Sequence, residues 1–217
     1  MSQPAPAPQV MPDEANGAEL RQAQRLTLLL RAAKLIGPAG EQLCILRDVS
    51  ASGIKLRLFA PLPEGERFTL EMSCGASFPI EPVWQADSHA GFRFLEGEVD
   101  LEPLLNESGP FPKRPIRLRA NLPIQVTAGG ITREAELRDI SLEGARFDSE
   151  WRYAMAEQLR IAAPGFPEHV GRVRWRYGHG HGVVLSRRFG LDELAQLIRC
   201  AAGRAERGFG GGALTGC

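Results

Sequence analysis

Two stretches decide the fold: Arg47-Asp48-Val49-Ser50-Ala51-Ser52-Gly53 and, further along, Arg138-Asp139-Ile140-Ser141-Leu142-Glu143-Gly144. They agree at Arg, Asp, a β-branched residue, Ser and Gly, and they lie 91 residues apart. The same offset recurs elsewhere. Val83-Trp84, followed by Gly91, corresponds to Arg174-Trp175, followed by Gly182. Upstream, Arg25 matches Arg117 at an offset of 92, a slip of one residue. Independent anchors at one period identify a tandem duplication. The period is too long for a solenoid unit, so each copy should close a core of its own.

The sequence around these anchors is strand-like. Ile54-Lys55-Leu56-Arg57-Leu58 and Phe68-Thr69-Leu70-Glu71-Met72 alternate apolar and polar positions, and Leu43-Cys44-Ile45-Leu46 is a short apolar run. Gly37-Pro38, Gly53, Pro61 to Gly65 and Gly75 punctuate them. The second half repeats the pattern at Ile124 to Val126, Ala135 to Leu137, Ala145 to Phe147 and Val170 to Trp175. Brief strands with frequent turns predict an all-β barrel or sandwich. Two segments read as helices. One runs from Glu14 to Leu30, opening near Asp13; the other, Leu191 to Ala202, aligns Leu191, Leu194, Leu197, Ile198 and Ala201.

Composition narrows the function. Hydrophobic residues are 43% and charged residues 24% of the 217, as in ordinary globular proteins. The 26 basic residues balance 26 acidic ones, which argues against a nucleic-acid or anionic-membrane binder. Only Lys34, Lys55 and Lys113 are lysine, so 23 of the 26 basic residues are arginine. A GC-rich genome accounts for most of that skew; arginine also forks onto phosphates and guanine edges as lysine does not. Residues 1–100 carry nine basic and thirteen acidic groups, and residues 101–217 carry seventeen and thirteen, so the halves stand at −4 and +4. Cys44, Cys74, Cys200 and Cys217 form no C-x-x-C pair, which fits free thiols in a reducing cytoplasm. No apolar run approaches the ~20 residues of a membrane helix, and Met1 to Pro12 has no secretory pattern. Residues 1–18 are therefore expected as a disordered leader and 206–217 as a Gly-rich flexible tail.

Each copy brings the same polar set. An arginine cluster comes first: Arg21-x-x-x-Arg25 in copy one, and Lys113-Arg114-x-x-Arg117-x-Arg119 in copy two. Asp-x-Ser-x-x-Gly follows, 23 residues after Arg25 and 22 after Arg117. On an extended segment the Asp and Ser share one face, and the Gly permits a turn or a close backbone approach. Taken alone, four-spaced arginines are a helix face and Asp-x-Ser-x-x-Gly is a turn between strands. Their conjunction, twice, suits an anionic ligand that also carries N–H donors, such as a phosphorylated guanine.

These residues carry a family resemblance. R-x-x-x-R and [D/N]-x-S-x-x-G are the signature of PilZ domains, and the later Trp and Gly resemble that family's pattern near the last barrel strands. The chain is thus similar to a tandem PilZ-domain protein over roughly 19–97 and 111–200. The resemblance implies two six-stranded antiparallel β-barrels, 19–97 and 111–205, joined by a linker over 98–110, with short N- and C-terminal helices. It also implies binding of the bacterial second messenger cyclic di-GMP. Carried over by position, Arg21 and Arg25 hold phosphates and guanine edges, Asp48 and Ser50 bond a guanine, and Gly53 makes room. In copy two Arg117, Asp139, Ser141 and Gly144 fill these places. Lys113 stands where the first arginine belongs, with Arg114 beside it at a different angle, which ranks copy one above copy two as a binder.

The other candidates are read as structural. His179 and His181 are expected in an exposed loop before a strand rather than at a metal. Trp84 and Trp175 are expected in the barrel cores, and the helix from Leu191 as a packing element. No nucleophile–base pair or P-loop is present, so the expected function is a non-catalytic cytoplasmic receptor. Ligand would order the segment Glu19 to Arg31 over the barrel and alter the surface offered to a protein partner. A nucleotide-independent adaptor, as in surface motility, is the alternative reading.

Overall fold

The structure, a computed structural model, describes residues 26–106 and 114–207. The first copy contains β1 (Leu26–Gly37), β2 (Gly40–Ser50), β3 (Gly53–Leu58), β4 (Phe68–Glu71), β5 (Ser77–Ala86) and β6 (His89–Phe94), followed by the short helix α1 (Glu102–Asn106). The second contains β7 (Leu118–Ala128), β8 (Ile131–Ile140), β9 (Gly144–Asp148), β10 (Gln158–Ala162), β11 (His169–Tyr177) and β12 (Gly180–Leu185), followed by α2 (Leu191–Arg207). Each set closes into an antiparallel barrel with the same order, β1-β2-β3-β6-β5-β4 and β7-β8-β9-β12-β11-β10. Closure pairs every strand with a neighbour on both sides over at least part of its length, which shortens the edges that recruit other chains.

Alternation builds both walls. Along β3 and β7 every second residue is buried, from Ile54 to Leu58 and from Leu118 to Ala128. The barrels therefore fill with aliphatic side chains: Leu35, Leu46, Leu56, Leu70 and Ile80 in the first, Leu122, Val126, Phe147 and Leu159 in the second. Each fully buried Leu contributes about 2–3 kcal/mol by transfer out of water. Gly129 and Gly130 both take positive φ (55° and 81°), giving the two-residue β7–β8 hairpin the turn that matches strand twist.

The two helices do different work. Leu104 of α1 is fully buried against the first core, flanked by Val99, Leu101 and Leu105, so this part of the expected linker (98–110) packs on barrel one. Helix α2 buries the stripe anticipated from its spacing, Leu194, Leu197, Ile198 and Ala201, with Leu191 half-buried. It packs on β7 and on β2 of the other barrel, and Leu43 of β2 joins the second core. Glu193 accepts from the Gly190 N–H at 3.2 Å, a capping interaction at the helix start. Arg187 grips the same carboxylate at 2.8 and 3.2 Å and holds its pKa below the usual carboxylate range. No helix among the described residues is long and apolar enough to cross a membrane.

The structure corrects three expectations. Leu26 to Leu30, the end of the anticipated helix from Glu14, is strand, and Arg31 continues it; Glu14 to Arg25 lie outside the described residues. Between Thr27 and Arg31 the strand advances four positions against two on its partner, from Asp48 to Leu46. That bulge breaks the two-residue period, which is why the sequence reads as helical. The same place explains the one-residue slip of the repeat, because β7 advances three positions, Arg119 to Leu122, where β1 advances four.

His181 is fully buried on β12 rather than in an exposed loop. Its ring stacks on Phe147 at 5.2 Å and meets Tyr153 edge-on at 5.3 Å. Nδ1 donates to the His179 carbonyl at 2.9 Å, leaving Nε2 to accept from the Tyr153 N–H at 3.4 Å. Trp84 and Trp175, expected as core, are 44% and 41% exposed. Pure alternation from Ile80 or Val173 would point them inward. A bulge at Val83 and another at Arg174 reverses the phase and turns both indoles to the outer wall.

Candidate ligand-binding site

The pairing register assembles residues that are scattered in sequence. In barrel two, Arg119 of β7 pairs with Asp139 of β8, Asp139 with Arg146 of β9, Arg146 with Gly182 of β12, and Gly182 with Trp175 of β11. One lateral row on the outer wall thus reads Arg, Asp, Arg, Gly, Trp. Barrel one repeats the register, with Thr27 paired to Asp48 and the outer row continuing as Asp48, Lys55, Gly91 and Trp84. Bulges create both ends of each row. One falls at Arg47 and Arg138 before the Asp, the other at Val83 and Arg174 before the Trp. Bulges re-aim side chains, and here they bring an acid and an aromatic to one face.

Each member has a physical role. A Cβ on Gly91 or Gly182 would collide with the indole of Trp84 or Trp175, so these glycines form the floor on which the rings lie. Lys55 reaches over Gly91, its Nζ 6.0 Å from the Trp84 ring centroid. Gly53 and Gly144 are needed for a different approach: a Cβ on either would fall 2.6 Å from a main-chain oxygen, of Phe92 and Val183 respectively. The motif glycine therefore presses β3 onto β6 and β9 onto β12. The motif serine closes the turn. Ser141 Oγ donates to the Gly144 carbonyl at 3.1 Å and accepts from the Gly144 N–H at 3.1 Å; Ser50 Oγ donates to the Gly53 carbonyl at 3.2 Å. Ser141 is 1% exposed, so its hydroxyl lies inside the hairpin, not on the face of the row.

Arg117 and Asp139 come together: Nη1 donates to Oδ1 at 2.6 Å. It is a charge-assisted bond between an exposed guanidinium and a less exposed carboxylate. Arg114 is anchored by its main chain, its N–H donating to the Ser73 carbonyl of barrel one at 3.0 Å. A cleft of about 370 Å³ opens there between the barrels, with Glu71, Ser73, Arg114 and Arg117 in its lining. Arg21 and Arg25 lie outside the described residues; the first described residue, Leu26, pairs with Val49 as Leu118 pairs with Ile140. Among the described residues no three His, Cys, Asp or Glu side chains form a metal-sized group. Cys44 and Cys74 are free thiols, and burial pushes the Cys44 thiol up, away from reactivity.

Reading the motifs alone missed Lys55 and Arg146. The signal was present: each stands two residues after the motif glycine, 91 apart, with the same charge. Two β-barrels with this paired signature invite comparison with known proteins. The PilZ domain model matches residues 19–107 and again 113–203. The chain belongs to the PilZ family. Among solved structures this PilZ chain is similar to PlzA of Borreliella burgdorferi in complex with c-di-GMP, at 14% identity over 85% of this chain and 96% of that one, with a TM-score of 0.34. It is similar to the Bacillus subtilis inhibitor of motility MotI/DgrA at 13% identity over 82% and 98% of the two chains, TM-score 0.35. YcgR from Escherichia coli in complex with c-di-GMP gives 13% identity over 83% and 87%, TM-score 0.31. No curated protein matches the sequence.

Proposed function

We propose that this PilZ protein is a non-catalytic receptor for cyclic di-GMP, with one site on the outer wall of each barrel. The observation that carries the reading is the repeated row: an acid, a cation and an exposed indole on one face, in a copy whose sequence opens on an arginine motif. Arginine forks suit the phosphates and the O6/N7 edge of guanine, and Asp139 or Asp48 accepts from its N–H groups. A flat exposed Trp offers a stacking surface, worth about 1–3 kcal/mol per base in comparable sites. Arg25 belongs to barrel one as Arg117 belongs to barrel two, each directly preceding a first strand.

Binding would replace the Arg117–Asp139 ion pair, freeing the guanidinium for a phosphate and the carboxylate for a guanine. The rearrangement is expected over Glu19 to Arg31, of which Leu26 to Arg31 form the start of β1. The change in the arginine motif alters the surface presented to a protein partner. Isothermal titration of wild type, Arg25→Ala and Arg117→Ala with cyclic di-GMP tests this. Arg25→Ala should remove the tighter component and Arg117→Ala the weaker; absence of heat with wild type would refute the receptor reading. A pull-down with and without nucleotide tests the relay, since capture that ignores nucleotide would identify an adaptor instead.

A further inference from the structure

The two copies diverge where barrel one faces barrel two. Lys34, Glu41 and Glu71 form a half-buried ionic cluster at the β1–β2 and β1–β4 pairings, with Lys34 Nζ 3.0 Å from Glu71 Oε1 and 3.6 Å from Glu41 Oε1. At the equivalent positions barrel two has Gln125, Thr132 and Ala162. The cluster is thus absent from the second copy.

Glu41 spends its remaining capacity on the neighbour. Its Oε2 accepts the Arg119 main-chain N–H at 2.9 Å, and its Oε1 lies 3.5 Å from Arg119 Nε. Arg119 needs such a partner. Strand β10 covers β7 only at Gln125 to Thr127, so among the described residues the start of β7 pairs with no strand on that side. The bulge between Arg119 and Leu122 loosens it further, with Asn121 at φ 43°. An unpaired main-chain donor on a strand edge costs stability unless an acceptor is supplied. Glu41, whose side chain is 11% exposed, supplies one across the barrel boundary. Two residues before Arg119 stands Arg117, and Arg119 is itself paired in register with Asp139. A continuous chain therefore runs from Glu41 through Arg119 to the Arg117–Asp139 pair.

We propose that Glu41 of barrel one is a positioning residue for the arginine motif of barrel two. The inference rests on the proposed cyclic di-GMP reading, and it makes affinity at barrel two depend on the seating of barrel one. Glu41 touches no ligand in this proposal; it fixes the edge from which Arg117 projects.

The test uses the full-length protein with Arg25→Ala, so that titration of cyclic di-GMP reports barrel two. Glu41→Ala should weaken binding about tenfold, the scale of one charge-assisted hydrogen bond. Glu41→Gln keeps an acceptor for the Arg119 N–H and should recover most of that loss. Amide hydrogen exchange is read on the same proteins. Arg119 should exchange faster in Glu41→Ala, while Leu46 and Leu56 in the first core keep their protection. Unchanged affinity with unchanged exchange at Arg119 overturns the proposal. Equal losses in the Ala and Gln variants also overturn it, because the effect would then follow charge alone. If wild type takes up no cyclic di-GMP, the receptor reading fails by itself, and the Arg119 exchange rate still decides whether Glu41 holds this edge.

Discussion

At the scale of single residues, the outer wall depends on what the glycines lack. Gly182 has no Cβ, so the Trp175 indole settles onto the strand and stays flat at its edge. Gly182→Ala puts a methyl group into the space of the ring and must tilt it away. The expected stability cost is about 1–3 kcal/mol, the range for overpacking a fitted contact. A shift in tryptophan emission together with a lowered urea midpoint would check it. Trp175→Ala leaves the barrel core intact and should instead weaken ligand binding, by about tenfold or more if the ring stacks on a base. A second single-residue effect concerns pH. Burial lowers the pKa of His181, and the nearby Arg176 and Arg152 lower it further against the opposing His179 carbonyl and Asp148. The unfolded chain then binds protons more readily than the folded one. Stability contributed by the neutral ring is present above a pH of about 6.5 and declines as pH falls toward the folded pKa. His181→Gln keeps an acceptor without titrating, so its urea midpoint should vary less than that of wild type between about pH 7.5 and about pH 5.

At the scale of elements, bulges separate what the sequence makes legible from what it hides. The short alternating runs, the Gly and Pro punctuation and the repeat at 91 residues are local signals, and they sufficed for two all-β copies and for the apolar stripe of α2. The arginine and Asp-x-Ser-x-x-Gly motifs were legible too, because spacing alone carries them. The outward face of Trp84 and Trp175 was not, since a bulged residue leaves no mark on composition and reverses every inference from alternation downstream. The Leu26 to Leu30 run failed for the same reason. Spacing alone does not show what Ser141 bonds: its hydroxyl meets the turn main chain three residues on. Helix α2 carries its own prediction. Leu197 is 2% exposed and packs in the second core, so Leu197→Ala should cost about 2–5 kcal/mol. Thermal unfolding would read this as a loss in the second barrel, and an unchanged midpoint would argue that α2 is dispensable.

At the scale of the whole molecule, the question is whether duplicated barrels behave as two proteins or one. Each has a closed wall and a core of its own, which alone would allow independent unfolding. Three contacts oppose that: α2 packs on both barrels, Leu43 of β2 is buried among residues of the second core, and Glu41 holds Arg119. Leu43 is decisive, because it is 2% exposed and lies in the core cluster of the second barrel. Leu43→Ala removes apolar contact from the second core without altering any residue of that barrel. Should the barrels be coupled, the substitution lowers the protection of α2 and β7 amides in hydrogen exchange, by an amount consistent with a cost of about 2–4 kcal/mol for truncating a buried Leu. Were they independent, only β2 and its strand neighbours would respond. Coupling is the expected result, and it carries a consequence for signalling. A ligand that rearranged the arginine motif at the start of β7, as proposed, would act on the very edge that barrel one holds, and occupancy at one barrel would then be felt by the other through β7 and α2.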